Sequence, residues 1–194
     1  SLSFSFLFIA VLSPLLSGIS DFGGKKKTFM KFFTFLGGIS CIMLYFFTGK
    51  NIEFGILFAA LASIGFAGSM VFYNAYLPII TTPNKYDMVS AKGYSFGYAG
   101  SVILLVFSLV IISNPGFIGL SDESEATRLT FVLVGIWWIG FAQITFYYLP
   151  NESHDKHPFA ELVKKGYREI NKVFKSLSGL RHLRFFLYSF FFYT

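Results

Sequence analysis

The sequence predicts an all-α protein, a polytopic bundle of membrane-crossing helices, and three observations carry that prediction. Only 13% of the 194 residues are charged and 54% are hydrophobic, whereas an ordinary soluble domain has about a quarter of its residues charged. The 26 charges all fall within 63 positions and leave six uncharged stretches at 1–20, 32–49, 54–84, 93–121, 129–151 and 185–194. Five of these meet or approach the roughly 20 apolar residues that a helix needs to cross the hydrocarbon core. Barrel strands run about 10 residues with strict in-out alternation, and these stretches are longer and apolar on every face. The soluble-enzyme classes are excluded.

Taken in order, spans are expected at roughly 1–20, 31–49, 54–80, 93–113, 129–149 and from 184 onward. The first opens at Ser1 without a charged flank, so it lacks the positive n-region of a signal peptide. The last run closes at Thr194 after about half a span. Both ends predict a fragment cut within or beside a helix. Phe, Leu, Ile and Val fill the spans, with Gly, Ala and Ser at intervals. Pro14 and Pro78 fall within or near the end of spans, where membrane helices tolerate proline. Cys41 is the only cysteine, so no internal disulfide is possible and the redox compartment stays open.

The connecting segments set the orientation. Segments 21–31, 85–92 and 152–184 hold 14 Lys and Arg residues, and segments 50–53 and 113–128 hold 2. That alternation follows the positive-inside rule, which places the first group in the cytoplasm. The net charge of +6 therefore reports orientation, and no nucleic-acid partner is expected. Segment 150–184 differs from the spans. Phe159, Leu162, Val163, Tyr167, Ile170, Val173, Phe174 and Leu177 recur at helical spacing with lysines opposite, and Pro158 suits a first helical turn. This predicts a basic amphipathic helix on the membrane surface. The chain thus divides into five transmembrane helices over 1–149, a cytoplasmic segment over 150–183, and the start of another span over 184–194.

The first cytoplasmic segment reads Ser17-Gly18-Ile19-Ser20-Asp21-Phe22-Gly23-Gly24-Lys25-Lys26-Lys27. It resembles the signature between the second and third helices of major facilitator superfamily transporters. The match is Asp21, Gly24, Lys25 and Lys26; Ser17 and Phe22 depart from the usual Gly and Arg. The resemblance sharpens at Phe72-Tyr73-Asn74-Ala75-Tyr76-Leu77-Pro78 and over residues 90–101. There the chain looks like the branch that includes fungal vacuolar amino-acid effluxers and their bacterial relatives. The resemblance implies about twelve helices in two halves built from nested inverted repeats. This chain would supply helices two to six, the central loop and the start of helix seven.

The implied function is secondary active transport of a small polar solute by alternating access, with amino acids the cargo in fungal relatives. The implied setting is the bacterial cytoplasmic membrane, with lipid and solute as partners and a proton or ion as the coupling species. Asp21, Gly24, Lys25 and Lys26 would then govern conformational gating, as a latch whose acid pairs with the opposite half. Two other classes remain in view: a non-transporting scaffold or sensor with the same fold, and a membrane-embedded enzyme. The enzyme suffers because the first five spans hold no Asp, Glu, Lys, Arg or His inside their ends, the groups that acid-base and metal chemistry require.

Polar residues inside the spans are few. Tyr73, Asn74, Tyr98 and Gln143 are the candidate cargo-path residues, since an unpaired carboxamide in hydrocarbon costs several kcal/mol. Interhelical hydrogen bonding, about 0.6–2 kcal/mol per contact, explains them equally well. Gly93, Gly97 and Ser101 form a small-xxx-small ladder that suits close helix packing. Trp137 and Trp138 fall near mid-span, one against lipid or a neighbouring helix and the other available to line a cavity. His154 and His157 with Glu152 and Asp155 imply no rigid second shell, so no metal and no cofactor are expected. His182 is most simply solvated.

Overall fold

The computed structural model describes residues 25–151 together with Ile9, Arg168, Asn171 and Lys172. Every long element in them is helical: α1 (Lys26–Met43, prolonged by a 3-10 turn Leu44–Phe46), α2 (Ile52–Ala75), the short α3 (Leu77–Ile80), α4 (Tyr86–Ser113) and α5 (Glu123–Tyr148). The stretches Lys26–Phe46, Ile52–Ile80, Pro83–Ser113 and Glu123–Tyr148 are each long and apolar enough to cross a membrane. They correspond to the second to fifth expected spans. The first span apart from Ile9, nearly all of the amphipathic segment 150–183 and the run 184–194 lie outside the described residues.

Three helices begin earlier than hydropathy indicates, because charge marks the edge of lipid and not the edge of a helix. α1 starts at Lys26 and α4 at Tyr86, so most of 85–92 is helix rather than loop. α5 starts at Glu123, where Asp122 accepts the Glu125 amide at 2.7 Å and the Glu125 carboxylate accepts the Ser121 amide at 2.9 Å. The acidic cluster of that segment is therefore a helix cap, which satisfies orphan amides and complements the positive helix end. Pro78 lacks the amide that would continue the α2 ladder, and the helix breaks at Tyr76 before α3 resumes. α1 and α2 are joined by a tight turn in which Gly49 takes a positive φ of 82°, a conformation that glycine adopts without strain.

The core lies where α1 meets α2 and α5. Phe72 and Tyr76 are fully enclosed and cluster with Met30, Phe33, Phe146 and Ile9. Phe72 stacks on both Phe29 and Phe33, with centroids 5.4 and 5.9 Å away. Glycines set the depth of the two seams. A Cβ on Gly65 would enter the backbone of Gly37, and one on Gly135 would stand 2.5 Å from the Gly38 carbonyl oxygen. Trp138 lies across Gly37, and Phe33 across Gly68. Such close approach is how helices gain contact in lipid, where association has no hydrophobic driving force.

Candidate functional site

A groove of about 960 Å³ runs between α1, α2, α4 and α5. Its wall is overwhelmingly apolar, from Met30 and Phe146 at one end to Phe66, Leu104, Val134 and Trp137 along its length. Small residues punctuate it: Thr34, Ala62, Ser63, Ser69, Gly97, Gly100 and Ser101. Three of its hydroxyls are turned back on their own helices. Ser63 donates to Ala59, Ser69 to Phe66 and Ser101 to Tyr98, each at 2.8 Å from the carbonyl oxygen. Hydroxyls engaged in this way offer a ligand little more than an acceptor lone pair.

Of the four candidate cargo-path residues, the groove takes in one. Tyr73 lines it and reaches from α2 towards α4, so that a Cβ on Gly93 would lie 2.6 Å from its hydroxyl oxygen. Asn74 is exposed and outside the lining, Tyr98 is 71% exposed, and Gln143 is exposed with its amide donating to Ile139 at 2.9 Å. The described residues thus bring Tyr73 to the groove and leave the other three on open faces. The glycine ladder divides similarly. Gly93 meets Tyr73, whereas Gly97 and Ser101 face the groove and nothing stands within 4 Å of a Cβ on Gly97. Both tryptophans line the groove; Trp138 also meets Phe66 edge-on at 6.2 Å and Trp137 leans on Phe141 at 4.6 Å.

Among the gating residues, Lys25 is exposed and Lys26 half-buried at the start of α1, and Asp21 and Gly24 lie outside the described residues. So do His154, His157, Glu152 and Asp155; among the described residues no group of three or more His, Cys, Asp and Glu could hold a metal ion. Two cation–π contacts join α1 to α5. Lys31 places its ammonium 5.5 Å from the centroid of the Phe146 ring, and at the opposite end of the pair Arg128 lies 5.8 Å from that of Tyr45. Such cation–π contacts are worth about 0.5–2 kcal/mol, more as water is excluded.

The residues that carry the packing, Gly37, Gly38, Gly65, Gly68 and Gly135, were not singled out by sequence reasoning. The adjacent pair Gly37-Gly38 and the spacing of Gly65 and Gly68 were their signal, because glycine inside a membrane helix marks a close approach.

Comparison with known proteins gives the following. The family model described as vacuole effluxer Atg22 like matches residues 1–194. An uncharacterized MFS-type transporter, YxiO, of Bacillus subtilis is 32% identical over 202 residues, covering 100% of this chain and 45% of the relative. Autophagy-related protein 22 of Coccidioides immitis is 19% identical over 191 residues, covering 72% of the chain and 31% of the relative. Its counterpart in Chaetomium globosum is 35% identical over 79 residues, covering 40% of the chain and 12% of the relative. The chain thus spans less than half the length of these relatives. No solved structure matches it.

Proposed function

We propose, given that this chain belongs to the vacuole effluxer Atg22-like family, that it forms most of the N-terminal half of a secondary active transporter. The cargo is a small polar solute of the amino-acid class, moved by alternating access across a bacterial cytoplasmic membrane. The observation that carries this reading is the continuity of the match. The family pattern runs through all 194 residues, and the relative with the MFS-type transporter name aligns with the whole chain. Residues 1–149 supply five helices of that half, 150–183 the cytoplasmic link, and 184–194 the start of the other half.

The apolar groove is a poor cargo site and a good seat for a helix. Ser63, Ser69 and Ser101 are engaged with their own backbones, and a wall of small residues admits another helix backbone closely. A helix about 10 Å across would fill 960 Å³ over about 12 Å, some eight residues. Gly97 and Ser101 pack against such a helix from elsewhere in the transporter, while Gly93 seats Tyr73. Cargo instead meets the polar groups left open outside the groove, Asn74, Tyr98 and Gln143, with Tyr73 at its edge. Neutral amides and phenols suit a zwitterion whose charges are met elsewhere. Asp21, Gly24, Lys25 and Lys26 act as the cytoplasmic latch, with a proton or ion as the coupling species.

The test is counterflow of radiolabelled neutral amino acids in proteoliposomes holding the full-length protein. Uptake by the wild type is expected, with Asn74→Ala and Gln143→Ala weakening cargo affinity about tenfold, as loss of a hydrogen bond or two would. Asp21→Asn should slow exchange while leaving affinity intact. Wild-type protein that moves none of the amino acids would favour a scaffold or sensor. If both alanine variants keep wild-type affinity and lose only thermal stability, the two amides are helix glue.

A further inference from the structure

Lys27 stands outside the four latch residues and makes a polar bridge from α1 to the far end of α5. Its ammonium donates to the Leu149 carbonyl oxygen at 2.8 Å and to the Asn151 side-chain oxygen at 2.9 Å. The acceptors are available for a local reason. Pro150 disfavours helical backbone at the residue before it, and Leu149 is accordingly extended, with φ −67° and ψ 135°. The Leu149 carbonyl is one of the orphan acceptors of the helix end. α5 has no basic residue of its own in its last turn, so the cation that complements the negative helix terminus comes from α1. One turn further along α1, Lys31 sits on the ring of Phe146, a buried residue of α5's last turn. Lys27 and Lys31 share a face through their four-residue spacing, and together they grip α5 at two points.

We propose that Lys27 is a two-way pin that makes the head of α1, from Lys25, and the end of α5, through Asn151, move as one unit. The two ends are remote in sequence, and both adjoin segments whose basic residues are expected on one side of the membrane. With the pin in place, a displacement of the first turn of α1 is delivered to Leu149 and Asn151, and the reverse. A helix cap alone would steady α5; a pin must act in both directions, because coupling between two sites is reciprocal. The inference does not depend on which solute is carried, or on whether one is.

Hydrogen–deuterium exchange on the full-length protein in detergent tests it. Lys27→Met keeps the apolar stem and removes the donors, and it should speed exchange of the 147–151 amides roughly tenfold, the loss expected for charge-assisted bonds. Lys27→Arg retains a cation with donors and should keep most of the protection. Asn151→Leu changes the α5 side alone and should speed exchange of the 29–31 amides, the first hydrogen-bonded amides of α1, by roughly threefold, the share of one of two bonds. That reciprocal effect is what a simple cap would not produce. Faster exchange confined to the mutated side would overturn the pin, as would unchanged exchange in both variants. Should Lys27→Met fail to fold, Asn151→Leu, an exposed position beyond the helix, carries the test by itself.

Discussion

The seam formed by α1, α2 and α5 and the lone helix α4 are made from the same apolar residues, and they end in opposite situations. In the Lys26–Phe46 span 39% of the most apolar window is buried, against 6% in the Pro83–Ser113 span, although the latter is the more apolar. Hydropathy therefore tells where a helix lies relative to lipid and nothing about what it packs on. In the seam, small residues face large ones: Gly37 under Trp138, Gly68 under Phe33, and Gly65 against the Gly37 backbone itself. α4 carries glycines too, but Gly97 and Gly100 face open space among the described residues. Glycine creates a seam only where a partner fills the notch.

The contrast can be broken most sharply at Phe72. It is enclosed between Phe29 and Phe33, so Phe72→Ala should cost about 3–5 kcal/mol, the range for emptying a large aromatic site. Thermal unfolding in detergent, followed by size-exclusion, reads the loss. Next comes Gly65→Ala, which pushes a methyl into the Gly37 backbone; overpacking of about 1–3 kcal/mol is expected. A neutral result would mean that α1 and α2 can part without penalty and that the seam is looser than drawn. Gly97→Leu on α4 sharpens the comparison from the other side. If a further helix of the full-length protein occupies the groove, this variant too should lose about 1–3 kcal/mol, and unchanged stability would leave the groove open to lipid. Smallest of all is Phe107→Ala. That side chain is 64% exposed, and a change within about 0.5 kcal/mol is expected for an exposed position.

The sequence made the helices legible because lipid imposes one rule on all of them: backbone groups must be satisfied within the helix and side chains must be apolar. Lys50, Lys85 and Lys92 broke the pattern at the right intervals, and four of the six expected spans coincide with described helices. Helix ends were less legible. Asp122 and Glu125 fall in segment 113–128, between two expected spans, and form a helix cap; a capping carboxylate and a solvated one read alike in sequence. The site was least legible of all. Asn74, Tyr98 and Gln143 were chosen by depth, and depth along a helix carries no information about azimuth. Tyr73 reached the groove because its neighbour Phe72 fixes which way that turn of α2 faces. Lys27 is indistinguishable in sequence from Lys25 and Lys26, because the three lysines are chemically identical and differ only in where the helix places them.

The short turn around Gly49 has a consequence for how the protein assembles. α1 and α2 are separated by only the residues between Phe46 and Ile52, so the loop that must close for their seam to form is among the shortest in the chain. As the polypeptide leaves the ribosome, this antiparallel pair can dock as soon as both helices have been made. α5 must find the other flank of α1 only after all of α4 has been threaded across. Gly135 and Trp138 are therefore the late-arriving halves of contacts whose early halves, Gly38 and Gly37, stand uncovered through that interval. A nascent chain stalled after residue 113 would hold a formed hairpin with one bare glycine notch. Stalling only once α5 has cleared the ribosome would leave that notch filled, a difference that cysteine crosslinking between α1 and α5 at positions beside the notch can time.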